Sequence, residues 1–359
     1  MIIGIILLVI LIFGILVFVH EFGHFIMAKR NGVDVEEFGF GFPPRLVGVK
    51  YGQTVYSINL IPLGGFVKMK GEAIQESTPG TFGAASFLAK SKILLAGVTM
   101  NALLAYAVLL WLCLTGLPPV ISGQYSFGTP TYAQPKQLMA VAVDPASPAA
   151  RAGLERGDIL LSANGTPLKE ERDLQTFTKE HAGQKVTLQI SHDGKTRTIN
   201  PTLRPPSAAS GFLGVTPFQT YQLRYDFLSA LVTAGGISLQ LIYHTFIAFA
   251  GLIAGLFTQG QVSENVAGPV GIVVLLKNIV DLGLPYILLF VASISVSLAV
   301  INILPLPALD GGRYAMVVAQ RLTGKSLSQK AETAVHAAGF AALILLMIVI
   351  TVFDIRRLG

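Results

Sequence analysis

The sequence predicts a polytopic α-helical membrane protein, with about four transmembrane helices and a small inserted α+β domain. Apolar residues make up 52% and charged residues 13% of the 359 positions, where soluble domains carry about 25% charged residues. Four apolar stretches are long enough to cross a bilayer, and a polar, β-branched segment separates the second from the third.

The first span is 1–28. Its eighteen residues Ile2 to Val19 carry no charge, which meets the length criterion for crossing. It lacks the basic start and small-residue cleavage site of a signal peptide, so it reads as a retained helix. Residues 29–92 follow as a loop with eight basic residues, among them Lys29, Arg30, Lys90 and Lys92, a cytoplasmic signature. Within it, Val55 to Met69 alternates loosely around Pro62, Gly64 and Gly65 and predicts a β-hairpin. The second span is 93–116, and a Pro-, Gly- and Ser-rich linker follows.

Residues 138–204 predict the inserted domain. Short β-branched runs flank Ser147-Pro148-Ala149-Ala150-Arg151-Ala152-Gly153-Leu154, and Asn164-Gly165 supplies a hairpin turn. Residues 211–284 read as a membrane-surface region, 285–304 as the third span, 305–333 as a cytoplasmic segment and 334–353 as the fourth span. The net charge of +6 comes from scattered Lys and Arg, so nothing points to nucleic acid. The single cysteine, Cys113, cannot pair within the chain.

Chemistry concentrates at two places. His20-Glu21-Phe22-Gly23-His24 is an HExxH string. On a helix, positions i and i+4 share a face, so both imidazoles can reach one metal ion, with the intervening glutamate as general base. Charged groups at the centre of a span cost about 2.5–3.5 kcal/mol each on insertion scales, so three together need a partner, a metal or water. At 1.5 Å per residue His20 lies roughly 13 Å inside Lys29, nearer the cytoplasmic face. The second place is Asn302-Ile303-Leu304-Pro305-Leu306-Pro307-Ala308-Leu309-Asp310-Gly311-Gly312. Pro305 and Pro307 end the helix there, and Asp310 is the carboxylate able to complete a His-His-carboxylate zinc site.

HExxH in the first span, NxxPxPxLDGG after the third and a small domain between them resemble the site-2 protease family of intramembrane zinc metalloproteases. The bacterial regulator-of-sigma-E protease branch is the most similar. The resemblance implies Zn2+ held by His20, His24 and Asp310, and Glu21 as catalytic base. It implies that Asn302 stabilises substrate or the developing oxyanion. Gly64, Gly65, Phe66, Val67 and Lys68 are similar to the family's membrane-associated β-structure, whose edge takes an unwound substrate strand. The stretch Ser147 to Gly165 resembles a PDZ domain, with an extracytoplasmic peptide as its implied ligand. Gly211-Phe212-Leu213-Gly214-Val215 looks like a PDZ carboxylate-binding loop but falls after the last predicted strand, so peptide binding is not assigned to it. The implied substrates are single-span membrane proteins, such as anti-sigma factors or remnant signal peptides, in a bacterial inner membrane.

If His20, His24 and Asp310 share one metal, the first and third spans must both run inward. Phe227 to Leu256 then lies on or dips into the membrane surface, with His244 as an interfacial polar group. Arg356 and Arg357 fall outside under this scheme, mildly against it. Two rivals belong to other classes. A membrane-tethered PDZ adaptor has no use for the polar trio. A transporter is disfavoured by four spans without inverted repeats. His336 reads as a helix-end polar residue. Asn101, in the second span, stays open between buried packing and a pocket group.

Overall fold

The structure, a computed structural model, describes every residue except 1, 73–77, 122, 193, 208–210, 260–265, 326–327 and 359. The chain divides into two compact units. One comprises residues 1–109, 235–277 and 290–359, and the other residues 110–234 and 278–289.

The first unit is built from long apolar helices and a two-stranded sheet. The helices that contribute to it are α1 (Ile2–Arg30), α2 (Phe87–Thr115), α5 (Phe227–Gln259), α6 (Pro269–Val280), α7 (Leu284–Ile303), α8 (Asp310–Thr323) and α9 (Gln329–Leu358). The start of α2 is fixed by Ser86, whose Oγ accepts from the Ala89 amide at 3.2 Å, a side-chain N-cap. Among the described residues, five segments are long and apolar enough to cross a bilayer: α1, α2, Phe227–Leu256 of α5, α7 and Gln329–Arg357 of α9. Four were expected. The fifth is Phe227–Leu256, which folds as one continuous helix through Gly235, Gly236 and His244. Its length and composition qualify it, although the shared depth of His20, His24 and Asp310 argues for the surface. Large apolar side chains such as Ile3, Leu7 and Leu11 on α1 and Phe340, Leu345 and Ile348 on α9 are exposed, as a lipid-facing surface requires.

The sheet of this unit pairs β1 (Val35–Tyr51) with β2 (Thr54–Met69). The hairpin expected over Val55 to Met69 is therefore only half of the β-structure. Its partner β1 contains Gly39, Gly41, Pro43 and Pro44, which mask a strand in the sequence. Two hairpin arms close at Tyr51↔Thr54. Deeper in, Glu37 to Phe40 pairs on one side with Val55 to Ile58 and on the other with Gly65 to Lys68.

The second unit holds a six-stranded sheet of order β7-β6-β4-β3-β8, with β5 paired to β4. Its strands are β3 (Thr131–Val143), β4 (Ile159–Ala163), β5 (Thr166–Pro167), β6 (Leu188–His192), β7 (Lys195–Ile199) and β8 (Val215–Arg224). Two helices, α3 (Pro148–Arg151) and α4 (Glu171–Glu180), complete it. Leu138, Leu160, Leu188 and Ile190 alternate inward and are essentially buried, with Leu154 and Leu174 against them. The short α3 is capped by Ser147, whose Oγ accepts from the Ala150 amide at 3.1 Å. At α4 the Asp173 carboxylate reaches back to the amides of Lys169 and Glu170 at 2.8 and 2.9 Å. Those backbone donors hold its carboxyl below the usual range.

The sheet is wider than the expected 138–204. Strand β8 pairs with β3 from Thr131↔Arg224 to Val143↔Val215, so Gly211 to Val215 leads into a strand rather than following the last one. Gly214 has a φ of +76°, and a Cβ there would strike the Ser147 side chain. Glycine is needed at this turn on both counts.

Leu188→Ala removes a fully buried side chain from this core and should destabilise the unit by about 2–5 kcal/mol. The measurement is chemical denaturation of the detergent-solubilised full chain, followed by proteolytic cutting between residues 110 and 234. Loss of less than about 1 kcal/mol would contradict the core described here.

Candidate metal centre

Helix α1 carries His20 and His24 one turn apart, so both rings leave the same face. Both are buried, at 7% and 6% exposure. Their Nε2 atoms stand 3.2 Å apart. The Asp310 Oδ2 oxygen completes a triangle, 2.9 Å from His20 Nε2 and 3.2 Å from His24 Nε2. Three ligand atoms around a tetrahedral zinc with bonds near 2.0–2.1 Å would be about 3.3 Å apart. The spacing observed is therefore that of a set about to close on one ion. Two imidazoles and a carboxylate are also the donor types zinc takes when a fourth position stays open. No other group of three or more metal-ligating side chains meets this closeness among the described residues.

Helix α2 provides the wall behind the histidines. Gly23 of α1 lies against the Ala96 carbonyl of α2, where a Cβ would come within 2.6 Å. A Cβ on Gly97 would intrude on His24 Nε2 and on the His20 ring. Small residues on both helices thus let the backbones approach. His24 Nδ1 donates to the Ile93 carbonyl at 2.7 Å, which leaves Nε2 free as a ligand.

Asp310 arrives from the opposite end of the sequence, at the first turn of α8. The loop before it folds back tightly on the end of α7. A Cβ on Gly311 would strike the carbonyls of Ile303 and Leu304, and one on Gly312 that of Leu306. Ala308 takes a φ of +76° and donates its amide to His336 Nδ1 at 3.0 Å. Gly339 on the same face of α9 packs against Pro307. The last helix therefore braces the loop that carries the carboxylate. Arg313, next on α8, forms an ion pair with Glu72. A cavity of about 740 Å³ opens beside Asp310, lined among others by Glu72, Lys90, Arg313, Glu332 and His336.

The other candidates are distributed unevenly. Glu21 sits on α1 between the histidines, half-buried, with its Cγ 3.6 Å from the Cβ position of Gly65. Gly65 to Lys68 pairs with Glu37 to Phe40, and its opposite edge has no strand partner among the described residues. Gly64 turns with a φ of +89° against Val17 of α1. Phe66 lies over Gly39, Val67 joins the cluster around Val35 and Met69, and Lys68 pairs with Glu36 at 2.8 Å. Asn302 is half-buried on the last turn of α7.

Three groups of this site were not selected from the sequence. From sequence, His336 reads as a helix-end residue, Asn101 stays open between packing and a pocket, and Gly97 carries no chemistry of its own. The available signal was Gly97-x-x-x-Asn101, one helical turn apart inside an apolar span.

Comparison with known proteins agrees with this geometry. Residues 8–346 match the description "Peptidase family M50". A Clostridium perfringens protein provisionally named a zinc metalloprotease is 33% identical over 352 residues, covering 98% of each chain. Zinc metalloprotease RasP of Shouchella clausii is 28% identical, covering 97% of each chain. RasP of Geobacillus kaustophilus is 27% identical with the same coverage. Among solved structures, the PDZ domain of an SdrC-like protein from Listeria monocytogenes aligns with 22% of this chain and 85% of its own, at 20% identity and a TM-score of 0.20. With the family match spanning nearly its whole length and the HExxH and Asp310 donors converging on one point, the chain belongs to peptidase family M50.

Proposed function

We propose that this chain is an intramembrane zinc endopeptidase that cuts single-span membrane proteins at the membrane edge. The observation that carries the reading is the convergence of His20 Nε2, His24 Nε2 and Asp310 Oδ2 within 3.2 Å of one another. The metal is zinc, the ion named for the relatives and suited to this donor set. When bound, zinc supplies polarisation of the scissile carbonyl and activation of water.

The remaining steps belong to the protein. Glu21 accepts the proton of the attacking water and delivers it to the leaving amine. Its neighbour Gly65 begins the strand whose open edge can hold a substrate segment extended. Strand addition satisfies the substrate's backbone groups while its helix is unwound, which keeps the scissile carbonyl accessible. Asn302 stabilises bound substrate or the oxyanion; this role rests on the family resemblance. The polar cavity beside Asp310 offers water a route to a site otherwise walled by apolar helices.

The membrane arrangement supported best has four crossings, in a bacterial inner membrane, with the β-sheet unit outside and PDZ-like in role. Two contacts favour it. The Gly271 amide donates to Asp354 near the end of α9 at 2.8 Å, and Arg357 reaches the Val266 carbonyl. Asp354 lies roughly 27 Å along α9 from His336, which braces the metal loop. Val266 therefore belongs to the face opposite the metal. Phe227 to Leu256 is then a helix lying along the membrane surface rather than a full crossing, because His20, His24 and Asp310 must meet at one depth. The sheet unit would then admit substrates already trimmed outside, such as anti-sigma-like proteins or remnant signal peptides.

With purified protein in detergent and a model single-span substrate, Glu21→Gln should lower the cleavage rate about 10²–10⁴-fold while zinc remains bound. Asp310→Ala should lose both zinc and activity. Wild-type protein that purifies without stoichiometric zinc and cuts nothing would favour a membrane-tethered adaptor instead. For the topology, cysteines placed one at a time at Gln189, Thr258 and Gln320 are treated with a membrane-impermeant maleimide in intact cells. Gln189→Cys and Thr258→Cys should label, and Gln320→Cys only after permeabilisation. Labelling of Thr258→Cys only after permeabilisation would establish a fifth crossing.

A further inference from the structure

Asn101 is a fully buried side-chain amide beside the metal donors, at 0% exposure. Its side chain stands 3.3 Å from His20 Nδ1 through Nδ2, and its Oδ1 has no hydrogen-bond partner. A buried carbonyl oxygen without a donor is costly, so an unpartnered amide is a poor choice for mere packing. The chemistry of His20 explains it. A neutral imidazole that offers Nε2 to a metal carries its proton on Nδ1, and that N–H needs an acceptor. With the amide turned over, Oδ1 occupies the position 3.3 Å from Nδ1 and accepts that proton.

His24 shows the same logic already complete, since its Nδ1 donates to the Ile93 carbonyl at 2.7 Å. Ile93, Gly97 and Asn101 follow one another at intervals of four along α2 and so share a face. One acts by a backbone carbonyl, one by leaving room for the rings, and one by a side-chain amide. The backbone of Asn101 is itself fixed, because Ser295 Oγ of α7 donates to its carbonyl at 2.8 Å.

We infer that Asn101 is a positioning residue of the metal centre, whose Oδ1 accepts the Nδ1 proton of His20 and so sets the tautomer and ring orientation in which Nε2 binds the ion. The inference rests on the zinc reading given above. It assigns no contact with substrate to Asn101. It also makes a chemical distinction among replacements: an oxygen acceptor at this distance is required, and the amide nitrogen is not.

The test is zinc affinity of the detergent-solubilised full chain, measured by competition with a chromophoric chelator, for wild type, Asn101→Ala and Asn101→Asp. Thermal unfolding of each metal-free protein runs beside it. Asn101→Ala should weaken zinc binding about 10–100-fold with a metal-free unfolding midpoint close to wild type. Asn101→Asp, which keeps the acceptor, should restore near wild-type affinity. The cobalt-substituted forms should show an altered visible absorption for the alanine variant and a native-like one for the aspartate variant. If Asn101→Ala does not accumulate as folded protein, Asn101→Ser, too short to reach the ring, takes its place. Unchanged affinity in the alanine or serine variant overturns the inference, and so does an aspartate variant as weak as alanine. A wild-type chain that binds no zinc would instead overturn the zinc reading itself.

Discussion

Two histidines and two carboxylates inside an apolar helix bundle must be neutralised together, because leaving charged or polar groups unpaired at that depth costs several kcal/mol. Much of the first unit can be understood as meeting that demand. The i, i+4 spacing on α1 brings two imidazoles to one side. The glycines at 23 and 97 let α2 close over them. The break after α7 swings Asp310 into contact with both rings. A bound divalent ion completes the neutralisation and converts a costly polar cluster into a reactive one.

The same demand explains where irregular backbone is allowed. The loop from Leu304 to Leu309 leaves helical geometry at the end of an apolar helix, where its carbonyls need other partners. Its groups are shielded by protein: by the close approach of Gly311 and Gly312, by the His336 ring accepting from Ala308, and by Gly339 beneath Pro307. Ala308, Asp310 and His336 also line a cavity that carries Glu72, Lys90, Arg313 and Glu332. A braced loop with a cavity open beside its carboxylate suits hydrolysis in a membrane-embedded protein.

How much of this was legible in the sequence follows from which groups act. HExxH could be read because helical periodicity alone fixes the relation of His20 to His24. Asp310 could be read because a carboxylate at the end of an apolar span is conspicuous. Strand β1 was hidden because Gly39, Gly41, Pro43 and Pro44 argue against a strand, although long-range pairing on both flanks overrides them. Strand β8 was hidden behind Pro205 and Pro206 and by its polar run of Gln219 to Gln222, which alternates without an apolar face. The Ile93 carbonyl that orients His24 has no side-chain signature at all. Asn101 was visible as a polar residue in a span, but its meaning depended on knowing that His20 lies across from it.

The donors of this centre sit 286 positions apart in the chain, between His24 and Asp310. A ribosome-bound protein that has inserted its first helix therefore displays two imidazoles and a base with no third ligand. Only when the later apolar helix and its following loop have entered the bilayer can the ion be gripped by all three. The centre is thus incomplete until the later segment joins the earlier one, however early the histidines are in place.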